Sequence, residues 1–249
     1  MTVVNTLGAA TFRDEEFPAD PYPGARPAHS YLHLDGTGWC LTPDSSLPSG
    51  WRVGAGCLDE FLTGAGAEPL AARWPVLAYG SNVCPSKITW LRSELGLRGP
   101  VVVLRATCTG LSAVWASGVR ARDGQRPAVL VSAPGVVEHH AVWLATAEQR
   151  RVLDECEGRG ERYRLVRLRG PERVELDTGP AANVLAYGAL GEIRRPLLVD
   201  GRFVPCSAVG QREARELTGA PADSDGLTCT EIVGEPTPPG APLGTDEPR

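Results

Sequence analysis

Residues 74–96, WPVLAYGSNVCPSKITWLRSELG, decide the fold of this 249-residue chain. Trp74 to Tyr79 is a compact apolar run of strand length that breaks at Gly80-Ser81-Asn82. From Ser86 to Leu95 the apolar residues Ile88, Leu91 and Leu95 recur at helical spacing. Pro85 suits the first helical position and Gly96 is a stop signal. A strand, a glycine turn and a helix follow one another directly.

The same reading extends in both directions. Downstream, Val101 to Thr107, Ala128 to Ser132 and Val142 to Ala145 have strand composition. Ala147 to Cys156 reads as a helix, with Thr146 as its N-cap and Gly158 just past its end. Tyr163 to Leu168 and Asn183 to Ala189 return to strands. Leu197 to Val204 forms a hairpin about Asp200-Gly201, and Gln211 to Leu217 a short helix. Upstream, Ser30 to Thr42 alternates about Asp35-Gly36 as a second hairpin, and Cys57 to Leu62 opens a short helix. Asp14 to Pro27 is acidic and proline-rich, so no stable element is expected there; the tail from Ala220 is expected to fray.

Strands follow strands with few helices between, which predicts an α+β fold on a curled, barrel-like sheet. The expected organisation is an N-terminal extension with a hairpin over 1–73, the main domain over 74–218, and a Pro/Gly-rich tail over 219–249.

With 42% hydrophobic and 22% charged residues, the chain can build a core. No run approaches the roughly 18 apolar residues of a membrane span, and the N-terminus lacks a basic start and apolar stretch, so a cytoplasmic location is expected. A net charge of -5 gives no case for nucleic acid or an anionic membrane. The 7 cysteines contain no C-x-x-C pair, so free thiols are expected and no metal cluster.

Two places could carry chemistry. The Tyr79-Gly80-Ser81-Asn82 turn can aim backbone N–H groups at a carboxylate, or it is a plain strand-to-helix turn. In Leu153-Asp154-Glu155-Cys156-Glu157-Gly158, three carboxylates crowd a helix C-terminus, where the dipole disfavours negative charge. An inward-facing member would have a raised pKa and suit a general base; a solvated acidic helix end is the alternative. Glu155 and Glu157 face different sides, so one of them at most reaches a pocket.

Taken together, the YGSN turn, the strands Pro127–Pro134 and Ala141–Leu144 as an apolar pair, and a helix ending in L-D-E-x-E-G followed by Tyr163 resemble the gamma-glutamylcyclotransferase family. The likeness runs over about Trp74 to Leu190, a little under half the chain. It implies a small mixed β-barrel with flanking helices and a cavity where the turn meets one carboxylate. The implied reaction releases 5-oxoproline from a gamma-glutamyl amide, with no metal or organic cofactor. The implied partner is a small gamma-glutamyl substrate.

By position, the resemblance makes Glu157 the catalytic carboxylate, with Glu155 as its rival. Backbone N–H groups around Gly80, Ser81, Asn82 and Val83 would hold the glutamyl portion, with Tyr79 and Tyr163 as walls or hydrogen-bond partners. Val83 departs from the family's usual Leu. His140 stands where the family has a small residue and would narrow the pocket or add a polar contact, or simply sit partly buried in its strand. A nucleophilic Cys84 or Cys156 would need a base partner, and no histidine is near either in sequence. Amide hydrolysis or acyl transfer on the same scaffold, or a non-catalytic domain binding a small carboxylate or a protein, are the alternative functions.

Overall fold

The computed structural model describes residues 3–4 and 11–239. At its centre lies the Trp74–Ala78 strand. Val76 and Ala78 enter one core cluster and Leu77 another, so the strand is buried on both faces and reads as a continuous apolar run. It pairs antiparallel with Ala128–Ala145, Val142 opposite Leu77, and parallel with Leu185–Ala189, Leu185 opposite Val76.

The strands Ala128–Ser132 and Val142–Ala145 are the two ends of one strand, Ala128–Ala145. Both ends pair with Val101–Trp115 and not with each other, which corrects the expected apolar pair. The polar run Glu138-His139-His140 hides this continuity in the sequence. In the structure the Glu138 carboxylate is satisfied by the Ser112 hydroxyl at 2.7 Å and the Ala113 N–H at 3.0 Å.

One large mixed sheet results, running from Cys229–Glu231 through Tyr163–Leu168, Leu185–Ala189, Trp74–Ala78, Ala128–Ala145 and Val101–Trp115 to Tyr31–Leu34, Thr37–Pro43, Trp51–Val53 and Gly56–Cys57, with Thr11–Arg13 on Thr37–Pro43. Among the described residues its two ends do not pair, so the expected barrel does not close. The sheet also branches: Val101–Trp115 takes Tyr31–Leu34 along its first residues and Arg173–Leu176 along its middle. The helices Pro85–Leu95 and Ala147–Glu157 cover one face, where Ile88, Leu91 and Leu153 join Val76, Trp143 and Leu185. No helix among the described residues is long and apolar enough to cross a membrane.

The flanks are more ordered than their composition suggests. Strands on either side of position 73 share the large sheet, because Tyr31 pairs opposite Val103. In the acidic, proline-rich stretch, Phe17 is fully buried and packs edge-on to Phe12 at 4.8 Å. Asp14 there accepts from His33 Nε2 at 2.8 Å and from the Thr89 hydroxyl. The tail does not fray up to residue 239: Cys229–Glu231 adds to the Tyr163–Leu168 edge, Ile232 is buried, and Glu235 pairs with Arg150. Residues 240–249 of the tail lie outside the described residues.

Candidate active site

The end of a strand and the end of a helix meet at the candidate site. The Trp74–Ala78 strand stops before Tyr79, Gly80 turns the chain, and Ser81–Val83 makes one 3-10 turn before Pro85 opens the helix. Facing it is the end of Ala147–Glu157. Thr146 caps that helix by accepting from the Gln149 N–H at 3.2 Å, and Gly158, at φ 67, closes it in the left-handed conformation. Glu157 is therefore the last helical residue. The Trp143 indole N–H holds the Asn82 carbonyl at 2.8 Å, and Asn82 Nδ2 donates to Glu157 Oε1 at 2.7 Å.

The space between them is a cavity of about 330 Å³. Tyr79, Gly80, Ser81, Asn82, Glu157 and Tyr163 all line it. Val83 does not. Successive residues of a 3-10 turn point about a third of a circle apart, and Val83 faces the core; its carbonyl accepts from the Tyr31 hydroxyl at 2.8 Å. Glu155 is exposed and outside the cavity. Asp154 is taken up by the Tyr187 hydroxyl at 2.8 Å and by Arg150 and Arg159. Of the three crowded carboxylates, Glu157 faces the cavity.

Burial pushes the Glu157 carboxyl above its ordinary range; the Asn82 hydrogen bond and the charges of Lys87, Arg162 and Arg194 pull it partly back. That is the direction a general base near neutral pH requires. The phenols are walls. Tyr79 donates to the Tyr187 carbonyl and Tyr163 to that of Ala128, and burial raises both pKa values well above the usual range. Burial likewise raises Cys84 and Cys156, which leaves little thiolate for nucleophilic attack.

His140 does not narrow this cavity. It lines a separate, smaller one and lies with Nε2 3.1 Å from Glu138. Gly80 has φ −114, outside the left-handed region; an added Cβ would lie 3.2 Å from the Tyr22 hydroxyl, a tight contact that Tyr22 would have to relieve by a small shift.

Several lining residues were not legible in the sequence. Tyr22 comes from the proline-rich stretch, and its hydroxyl accepts from the Ala128 N–H at 3.0 Å. Lys87, the single lysine of the chain, lies 3.3 Å over the Trp90 ring. Arg162 binds the carbonyls of Glu157 and Cys156 at 3.1 and 3.0 Å, capping the helix that carries the carboxylate. Arg194 comes from the turn after Leu185–Ala189. Lys87 is the third residue of its helix, next to the buried Ile88, and nothing local marks its place in the cavity or that of Tyr22 or Arg194.

No family model and no curated protein matches the chain. Two solved structures are similar in part. One is a gamma-glutamyl cyclotransferase, 16% identical, with a TM-score of 0.39 over 61% of this chain and 91% of its own. The other is an uncharacterized protein from Homo sapiens, 17% identical, with a TM-score of 0.39 over 48% of this chain and 68% of its own.

Proposed function

We propose that the chain is a cyclotransferase that releases 5-oxoproline from a gamma-glutamyl amide. The observation that carries this reading is the Glu157 carboxylate, held by Asn82 of the YGSN turn inside a cavity wide enough for a small substrate. Nucleophile and electrophile of this reaction belong to one molecule, so the main task is to hold a folded conformer.

In the proposed course, the glutamyl portion lies against Gly80, Ser81 and Asn82. An α-amino group titrates at about 8, so its ammonium form first gives one proton to solvent, and the neutral amine loses a second as it attacks. Glu157 accepts that proton. The α-nitrogen then bonds to the γ-carbonyl carbon, closing a five-membered ring, and the carbon–nitrogen bond to the leaving amine breaks. Glu157 returns its proton to the departing nitrogen. Tyr79, Tyr163 and Tyr22 exclude water with hydroxyls already bonded to the protein.

The test is mass spectrometry after incubation with a panel of gamma-glutamyl amino acids, amines and peptides, with Glu157→Gln as the blank. Release of 5-oxoproline by the wild type alone is the expected result. Free glutamate in its place means hydrolysis, and no product from any member of the panel means a binding role; either outcome overturns the reading.

A further inference from the structure

The cavity carries far more positive charge than its one catalytic carboxylate answers. Lys87, Arg120, Arg122, Arg162 and Arg194 all line it. Asp123 accepts from Arg120 at 2.8 Å and from Arg122 at 3.3 Å. Asp123 is not itself in the lining, where Glu157 is the one carboxylate; with Asp123 counted for the charge it neutralises, five cations are set against two anions.

Arg194 is the most informative of these cations. It is 5% exposed, and its Nε and Nη1 are buried with no hydrogen-bond partner. Its guanidinium lies 5.4 Å over the Tyr163 ring, a contact that orients the group without using its N–H donors. The backbone behind it is fixed: the Gly118 N–H donates to the Ile193 carbonyl at 3.1 Å and the Ser117 N–H to that of Arg195 at 2.7 Å. Leaving a buried arginine short of acceptors is costly, and a planar donor set of this kind matches a carboxylate.

We propose that Arg194, with Lys87 and Arg162 of the same cavity lining, forms an anion subsite that selects a leaving amine bearing two carboxylates, as in an amide between the γ-carboxyl of glutamate and an acidic amino acid. This rests on the cyclotransferase reading for the bond that is cut. The excess of positive charge in the lining is independent of it. A bound glutamyl portion with a neutral amine brings one carboxylate, and two further negative charges balance the cavity.

The experiment separates the two. Calorimetry on the full chain carrying Glu157→Gln, which holds substrate without turnover, compares gamma-glutamyl-glutamate, gamma-glutamyl-alanine and gamma-glutamyl-ethylamide. The expected affinities fall in that order, with about tenfold or more between the first and the last, and Arg194→Met removes most of that ratio. Arg194→Lys keeps the charge and retains part of it, which preserves the test if the Met variant folds poorly. Equal affinities, a ratio that survives Arg194→Met, or no binding of any ligand overturns the subsite. Release of 5-oxoproline by the wild type is scored separately, so a failed reaction and a failed subsite give different results.

Discussion

Asn82 Nδ2 and Glu157 Oε1 lie 2.7 Å apart, although 75 positions separate the two residues in the chain. One amide thus joins the turn after the central strand to the end of the second long helix. It also helps hold the carboxylate ionised against the burial that raises its pKa. Asn82→Ala should therefore move the acid limb of kcat/KM upward. A hydrogen bond to a charged group is worth about 1.5–3 kcal/mol, which corresponds to a shift of about one pH unit or more. A pH–rate profile reads this directly, and an unmoved limb would remove Asn82 from the role.

Glu157 itself gives a second, opposite-signed signature. Its native pKa lies above its unfolded value, so its contribution to stability is full below the unfolded pKa and is lost as pH rises through the native one. Glu157→Gln should cost about a hundredfold or more in turnover, as loss of a general base does. The same variant should be at least as stable as wild type at pH 7. Thermal unfolding at neutral and acid pH checks the sign.

How much of this was legible in the sequence depends on whether the cause is local. The Ala147–Glu157 helix was readable because Thr146 and Gly158 mark its ends, and helical phase separated Glu155 from Glu157. Asp35-Gly36 and Asp200-Gly201 announced their hairpins because all four residues adopt positive φ. Ala128–Ala145 was not readable as one strand, since Gly135 and the polar Glu138-His139-His140 interrupt its apolar pattern. Tyr22 and Arg194 reach the cavity only through tertiary placement, and the open, branched sheet is a property of long-range pairing.

Tyr79 offers a test of wall against proton donor. Its hydroxyl donates to the Tyr187 carbonyl and is buried. Tyr79→Phe should cost about 1 kcal/mol of stability for the lost hydrogen bond and leave turnover within a few-fold of wild type. A fall in kcat of about a hundredfold, the size of a lost acid or base, would mean that the phenol moves a proton in the reaction.

Gly158 and Gly96 form a matched pair. Both close helices in the left-handed conformation, at φ 67 and φ 68. Alanine at either should cost about 1–2 kcal/mol of backbone strain. At Gly96 the added Cβ meets nothing within 4 Å, whereas at Gly158 it lies 2.6 Å from the Arg162 guanidinium. Gly158→Ala should therefore displace Arg162 from the carbonyls it caps and lower kcat/KM, while Gly96→Ala should lower stability alone. Equal kinetic effects from the two variants would detach Arg162 from the site.

The last prediction concerns acid sensitivity away from the cavity. Asp14 sits in the proline-rich stretch, where burial pushes its carboxyl up but hydrogen bonds from His33 and Thr89, with the charges of His33 and Arg92, bring it below the ordinary value. A carboxyl whose native pKa is depressed contributes stability above its unfolded pKa and loses it as pH falls through the native one. Asp14→Ala leaves the His33 ring nitrogen and the Thr89 hydroxyl without their acceptor, at a cost of about 1–3 kcal/mol near neutral pH. The gap between wild type and variant should narrow as the pH is lowered below about 3.9, the unfolded value. Denaturant titrations at neutral pH and near pH 3 compare the gap above the unfolded pKa with the gap below it. A gap that stays constant across it would mean that Asp14 acts through packing and not through its charge.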